Sequence, residues 1–406
     1  MNAPTLSSST QRTPTARRTL GARVAAALAI AALTAGTAAA GSREQAMRIH
    51  DRLNGTPPTQ ALLDSMQAAI DGGNATGAAL LAIDDPNGMF YSVVLKNFVT
   101  PWTNVAQTVF APLNDYTATV IGMVRDEVPF NTALSGDLIY IGSGSLGLPA
   151  YSTTDNNHYA QMETQGVNLK TGLVQAQQSA VTGLPAAATA GILTTRASAQ
   201  AFFSLGTNRR MFRFTMINHM CSDMTTIMDN TRPTDRIRQD VSRSPGGDSR
   251  VFLNNCVGCH SGMDPMAQAF AYYDFVFASD PSTGNITYTP GTVVGKYFHN
   301  NTTFTPGYVT PDDHWDNRWR SGPNALMGWD SSLPGTGNGA KSLGQEIAAS
   351  DQFAQCQVTK VFQAVCLRAP SDSTDRAQVA LIKADFKQGY SMKKVFAETA
   401  VYCMGN

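Results

Sequence analysis

Cys256, Cys259 and His260 stand in the order Cys-x-x-Cys-His, and that spacing has a chemical use. Two thiols one helical turn apart can form thioethers with the two vinyl groups of one haem, and the next residue's imidazole then lies under the iron. The motif occurs once, so it calls for a single covalent haem c. Two other chemistries use the same cysteines. A thioredoxin-like redox pair wants a βαβ setting, which is absent here. Half of a zinc site wants a second cysteine or histidine pair, and none follows within about thirty-five residues. Haem attachment is the reading that employs all three side chains, with His260 as the proximal metal ligand.

The opposite face of the iron decides what such a haem does. An electron carrier fills it with Met or His, whereas an enzyme leaves it vacant or loosely held. Met263 lies one turn beyond His260, on the same side, and reads as packing. Met327, in the loop Asn324-Ala325-Leu326-Met327-Gly328, suits a distal ligand. His299 and His314 stand in the same loop region and are the next candidates. His158 and His219 could reach the iron only if the preceding residues cap the haem. Arg250 is the leading propionate partner among the arginines at 236–250, because guanidinium and carboxylate meet as a fork. Trp315 and Trp319, spaced i, i+4, and nearby Trp329 could shield the haem or serve as aromatic core. After the motif, Gly262 is expected to end a short helix, with Asp264 capping the next and Pro265 in its first turn. Met266, Phe270 and Tyr273 would then share a face.

Composition narrows the class. Of 406 residues, 43% are hydrophobic and 15% charged, and 30 basic residues balance 30 acidic ones. That balance provides no field for nucleic acid, and aromatics spread along the chain exclude wholesale disorder. The first forty residues read as an export signal: Arg12, Arg17, Arg18 and Arg23, the apolar run Val24 to Leu33, then Ala38-Ala39-Ala40. Arg17-Arg18 hints at the twin-arginine route, but covalent haem attachment follows export and suits the general secretory route. No later segment approaches a membrane span. No G-x-S-x-G or H-E-x-x-H motif supports hydrolysis.

The remaining chain divides by pattern into residues 41–230, a mainly helical N-terminal domain, an Arg-, Pro- and Gly-rich linker at 231–250, a haem module at 251–340 and a helical module at 341–406. In the first part, Ala46, Ile49 and Leu53, then Leu62, Leu63, Met66 and Ile70, give two amphipathic stretches separated at Pro57-Pro58. Helical spacing returns at 116–128 and 197–228. Residues 131–193 read as loops with short elements, and Gly142, Gly144 and Gly147 as a plain turn. In the last part Ser342 and Gln345 suggest a capping box. Val358, Val361, Phe362 and Val365 make a core-facing stripe, followed by helices from Thr374 to about Phe386 and Met392 to about Tyr402. The fold class is mainly α, with a cytochrome c-like haem module between helical units and long irregular loops.

Four further cysteines are Cys221, Cys356, Cys366 and Cys403. Cys356 and Cys366 share one expected helix and lie about 15 Å apart along it, beyond the ~7 Å limit for a disulfide. If the closing helices run up, down and up, the ends at Cys366 and Cys403 meet. Cys221–Cys356 then follows by elimination.

The run CVGCHSGMDPMAQAFAYYDF resembles the cytochrome module of a c-haem protein family abundant in planctomycetes, whose tandem conserved domains were first named as domains of unknown function. Upstream, VPFNTALSGDLIYI and AGILTTRASAQAFF resemble that family's preceding helical domain. Downstream, SDQFAQCQVTKVFQAVCLRAP and GYSMKKVFAETAVY resemble its closing helical module, so the likeness spans roughly residues 115–406. By this resemblance, the longer N-terminal portion of many relatives is not expected here. The resemblance implies a periplasmic or cell-surface c-type haem protein in redox service. Electron transfer with an unidentified redox protein partner is the leading expectation. A haem enzyme of peroxidase or oxidase type with an open distal site is the alternative, and a surface structural or binding protein organised by haem is a third.

Overall fold

Apolar residues at helical spacing set most of the architecture. The computed structural model describes residues 40–237, 249–280, 282–297 and 308–405, and these are mainly helical with a few short strands. The expected export signal lies outside the described residues, Ala40 excepted. Ser42–Met404 forms one compact unit.

Helix α1 (Ser42–Asn54) buries Ala46, Ile49 and Leu53. After the two prolines, Thr59 caps α2 (Gln60–Asp71) by accepting the Leu62 N–H, and α3 (Ala75–Ile83) packs on both. Helix α4 (Asp115–Arg125) is buried from Asp115 to Val124. A helix can be apolar all round only where protein surrounds it. Strand β1 (Ile139–Gly142) pairs antiparallel with β2 (Leu173–Ala176), Ile139 opposite Ala176, and α5 (Asn157–Thr164) lies between them in sequence. The 197–228 region resolves into α6 (Arg196–Phe202) and α7 (Asn208–Met220). The buried Asp115 carboxylate ties α4 to α6, accepting the Arg196 N–H at 2.6 Å and the Ala197 N–H at 3.0 Å. Burial pushes its pKa up against the pull of those bonds.

Helix α8 (Val257–Ala267) carries Cys259 and His260, with Cys256 at its N-cap, and leads into the hairpin β3 (Tyr273–Phe277) and β4 (Gly284–Tyr288). Strands β5 (His314–Asp316) and β6 (Thr336–Asn338) make a third antiparallel pair. Four helices close the chain: α9 (Gly339–Ala348), α10 (Asp351–Cys366), α11 (Ser373–Phe386) and α12 (Met392–Tyr402). Val358, Val361, Phe362 and Val365 are all fully buried on α10, as their spacing predicts. Helix α12 packs against α10, α11 and α3, while α7 packs against both α8 and α10.

The capping box expected at Ser342 is not formed. Helix α9 starts one turn earlier, at Gly339, and the Ser342 hydroxyl donates back to the Asn338 carbonyl at 2.7 Å while accepting the Trp315 indole N–H at 2.8 Å. Both cysteine pairs expected from the helix ends lie at disulfide distance, with Cα separations of 5.3 Å for Cys221–Cys356 and 5.5 Å for Cys366–Cys403. Among the described residues no helix is long and apolar enough to cross a membrane.

Candidate functional site

A five-residue wide turn, Phe252–Cys256, feeds the motif into α8. Cys256 and Cys259 are one turn apart, and His260 lies four residues beyond Cys256 on the same side of the helix. The segment 228–230 crosses α8 so closely that a Cβ at Gly258 would lie 2.4 Å from the Asn230 Oδ1. The Asp229 N–H donates to the Gly258 carbonyl at 2.8 Å, and the Ser261 hydroxyl donates to the Asp229 carbonyl at 2.7 Å. Gly262, on the other side of the helix from His260, receives the buried Trp319 indole; a Cβ there would lie 2.0 Å from its Nε1.

Helix α8 runs unbroken through Gly262, Asp264 and Pro265, contrary to the expected stop, cap and restart. Gly262 serves close packing. Asp264, instead of capping, points its carboxylate sideways. The His260 Nδ1–H donates to Asp264 Oδ1 at 3.0 Å, a consequence of i, i+4 spacing on one helix. From α7, Arg209 closes on the same carboxylate as a fork, Nε to Oδ1 and Nη2 to Oδ2, each 2.8 Å. The Asp264 side chain is 1% exposed, His260 19% and Arg209 18%. This constellation was half legible: the His260–Asp264 spacing is in the sequence, but Arg209 comes from 55 residues upstream.

The Cys259 thiol is half-buried and its Sγ lies 3.4 Å from the Met224 carbonyl. Burial pushes its pKa up, with Cys256 and Asp223 adding and Arg213 opposing, so it stays a thiol near neutrality. Cys256 and Cys259 are unpaired while the other four cysteines are matched. Exposed apolar side chains lie on the segments that meet the motif: Val251 (38%) and Leu253 (52%) just before Cys256 in the chain, and Met228 (55%) beside Gly258. Thiols, imidazole and uncovered apolar surface together are the donor set and lining a porphyrin would use, so these residues fit the group. A zinc ion would need four ligands, and among the described residues no three His, Cys, Asp or Glu side chains gather for a metal ion.

The other sequence candidates fall in different places. Met327 is buried at the end of the turn Pro323–Met327, and Asn324 Nδ2 ties that turn to the Ile227 carbonyl at 2.8 Å. Residues 227–230 thus run between the Met327 turn and the Gly258 side of α8. Met263 is buried in the main core. His314, on β5, bonds the Thr336 hydroxyl at 3.2 Å, and His299 lies outside the described residues. His158 is committed through both nitrogens, to the Pro149 carbonyl at 2.7 Å and the Gly142 N–H at 2.8 Å. His219 holds the Tyr116 hydroxyl through Nε2 at 2.8 Å, and burial, then Lys360, pushes its pKa well down. Neither of these two rings is presented as an iron ligand.

Arg250 is exposed in the short turn Ser249–Val251 leading to the motif. Arg236 is neither solvated nor presented for a propionate: it pairs with Asp316 and Gln268 and donates to the His314 carbonyl at 2.6 Å. Arg238 and Arg243 lie outside the described residues. Trp315 and Trp319 do not share a helix, since β5 and a short helical turn carry them. Trp329 donates to the Asn324 carbonyl at 3.1 Å. Met266, Phe270 and Tyr273 are ordinary core, the last stacked on Phe203. No protein-family model, curated protein or solved structure matches the chain.

Proposed function

We propose that this chain is an exported, single-haem c-type cytochrome that transfers electrons between periplasmic or cell-surface redox proteins, akin to the planctomycete-type family its motif resembles. The observation that carries the reading is the unpaired Cys256–Cys259 pair one turn apart at the start of α8, with His260 beside it and its Nδ1 already committed. Haem c, when bound, supplies an iron that cycles between ferric and ferrous states. Cys256 and Cys259 would anchor it, His260 Nε2 would be the proximal ligand, Met327 the distal one, and Arg250 a propionate partner.

The protein's own residues do the positioning. Trp319 against Gly262 and the 228–230 crossing at Gly258, four residues apart on the face of α8 away from His260, hold the helix at two points, so the motif sits on a fixed element. A rigid mount keeps the geometry of the two oxidation states alike, which a carrier needs. A second reading, a haem enzyme, is favoured by one observation: a carboxylate on His260 Nδ1 makes the imidazole a stronger donor, as suits oxygen or peroxide chemistry.

Visible spectra of the matured protein separate these readings. Covalent haem that survives acid–acetone extraction, with a low-spin spectrum indifferent to carbon monoxide, is the expected result. A high-spin ferrous form that takes up carbon monoxide would move the assignment to the enzyme. Absence of covalent haem would overturn both.

A further inference from the structure

The buried Asp264 carboxylate is bound both by the partly exposed Arg209 and by the motif histidine. We infer that Asp264 is a positioning residue that sets the basicity of His260, and through it biases the bound iron toward the ferric state. The inference rests on the haem reading above. A carboxylate 1% exposed is costly to leave charged, and here the Arg209 fork and the His260 Nδ1–H offset that cost. The same N–H bond fixes the tautomer, leaving Nε2 as the ring nitrogen directed to a metal. It also draws the Nδ1 proton toward the carboxylate, which raises electron density on Nε2. A more basic ligand and a nearby negative charge both favour the higher oxidation state. Arg209 limits the effect, because its fork shares both carboxylate oxygens and its charge opposes that of Asp264.

The division of labour gives the test. Asp264→Asn keeps shape and removes the charge; Arg209→Lys keeps a positive charge and loses the fork. In the haem-loaded protein, the ferric–ferrous midpoint is read by spectroelectrochemical titration. Asp264→Asn should shift the oxidised-to-reduced ratio at fixed potential about tenfold toward reduced, a rise of about 59 mV. Arg209→Lys should change that ratio by less than about threefold, because the carboxylate still faces His260. An unchanged midpoint in Asp264→Asn, or an equal shift in Arg209→Lys, would overturn the assignment. If Asp264→Asn does not fold, the wild type decides: the His260 Nδ1 proton should exchange slowly with solvent by NMR, and rapid exchange refutes the bond. Failure of the wild-type chain to attach haem would instead refute the haem reading, which the covalent-haem stain detects separately.

Discussion

Replacing Gly262 with Ala sets two effects of opposite sign against each other. In a helix interior, Gly→Ala is worth about 1 kcal/mol of added stability from propensity alone. At this position the new Cβ would lie 2.0, 2.1 and 2.5 Å from Nε1, Cε2 and Cζ2 of Trp319. Carbon contacts are comfortable only at about 3.5–4.0 Å, so indole or helix must move by more than an ångström. Trp319 has no accessible surface and Phe212 lies against it, ring centroids 6.0 Å apart, which leaves it little room to retreat. Overpacking of this kind costs roughly 1–3 kcal/mol, more where the neighbours cannot yield. The expected net result is a loss of about 2 kcal/mol, read as a lower denaturant midpoint at unchanged slope. Trp319→Phe removes the offending atoms, so adding it to Gly262→Ala should recover at least about 1 kcal/mol beyond additivity. A Gly262→Ala protein as stable as wild type, or strictly additive behaviour in the cycle, would refute the argument that Gly262 exists to admit the indole.

Three further outcomes are expected. Removing the Cys221–Cys356 pair with two serines should lower stability by roughly 3–5 kcal/mol, since the bridge closes a loop of 135 residues; chemical denaturation showing under about 1 kcal/mol would argue against the bond. Glu398 has its pKa raised to about 7, first by burial and then by Asp385, so the folded protein holds a proton there that the unfolded chain loses. Stability from this group is full below the ordinary glutamate pKa and is lost as pH rises through about 7; with solvent screening of this partly exposed side chain reducing the effect to about 1 kcal/mol, Glu398→Gln should remove about that much of the decline between pH 5 and 8. Identical pH profiles for the two proteins would refute that assignment. Met327→Ala should convert a low-spin, carbon monoxide-insensitive protein into one that binds the gas, and an unchanged spectrum removes Met327 as the distal ligand.

Much of the helical framework was readable because local rules and burial agree there. The α10 stripe is periodic, and Ser350, Asp372 and Ser391 each cap the following helix with a side-chain oxygen. Antiparallel helix ends then predicted which cysteines could meet. Reading failed where tertiary contacts overrode local preference. Gly262, Asp264 and Pro265 look like a helix stop and restart, yet Trp319, Arg209 and the rest of the core keep α8 continuous. Ser342 resembles a cap but is engaged by the Trp315 indole from another element. The motif itself was legible because covalent chemistry fixes its spacing; the carboxylate pair behind His260 was not, because half of it lies on a different helix.

The bond from Cys221 to Cys356 passes over Cys256 and Cys259 in the chain. If the chain is exported as proposed, its N-terminal part enters an oxidising space first, and Cys221 meets those two thiols before Cys356. Cys356 follows about a hundred residues later. Six cysteines admit fifteen complete pairings, and four admit three. Thioether formation would withdraw Cys256 and Cys259 from exchange permanently, so loading the cofactor early would also sort the remaining thiols. On that account, cells deprived of haem should accumulate disulfide isomers of this protein in addition to the colourless form, and a non-reducing gel would resolve them.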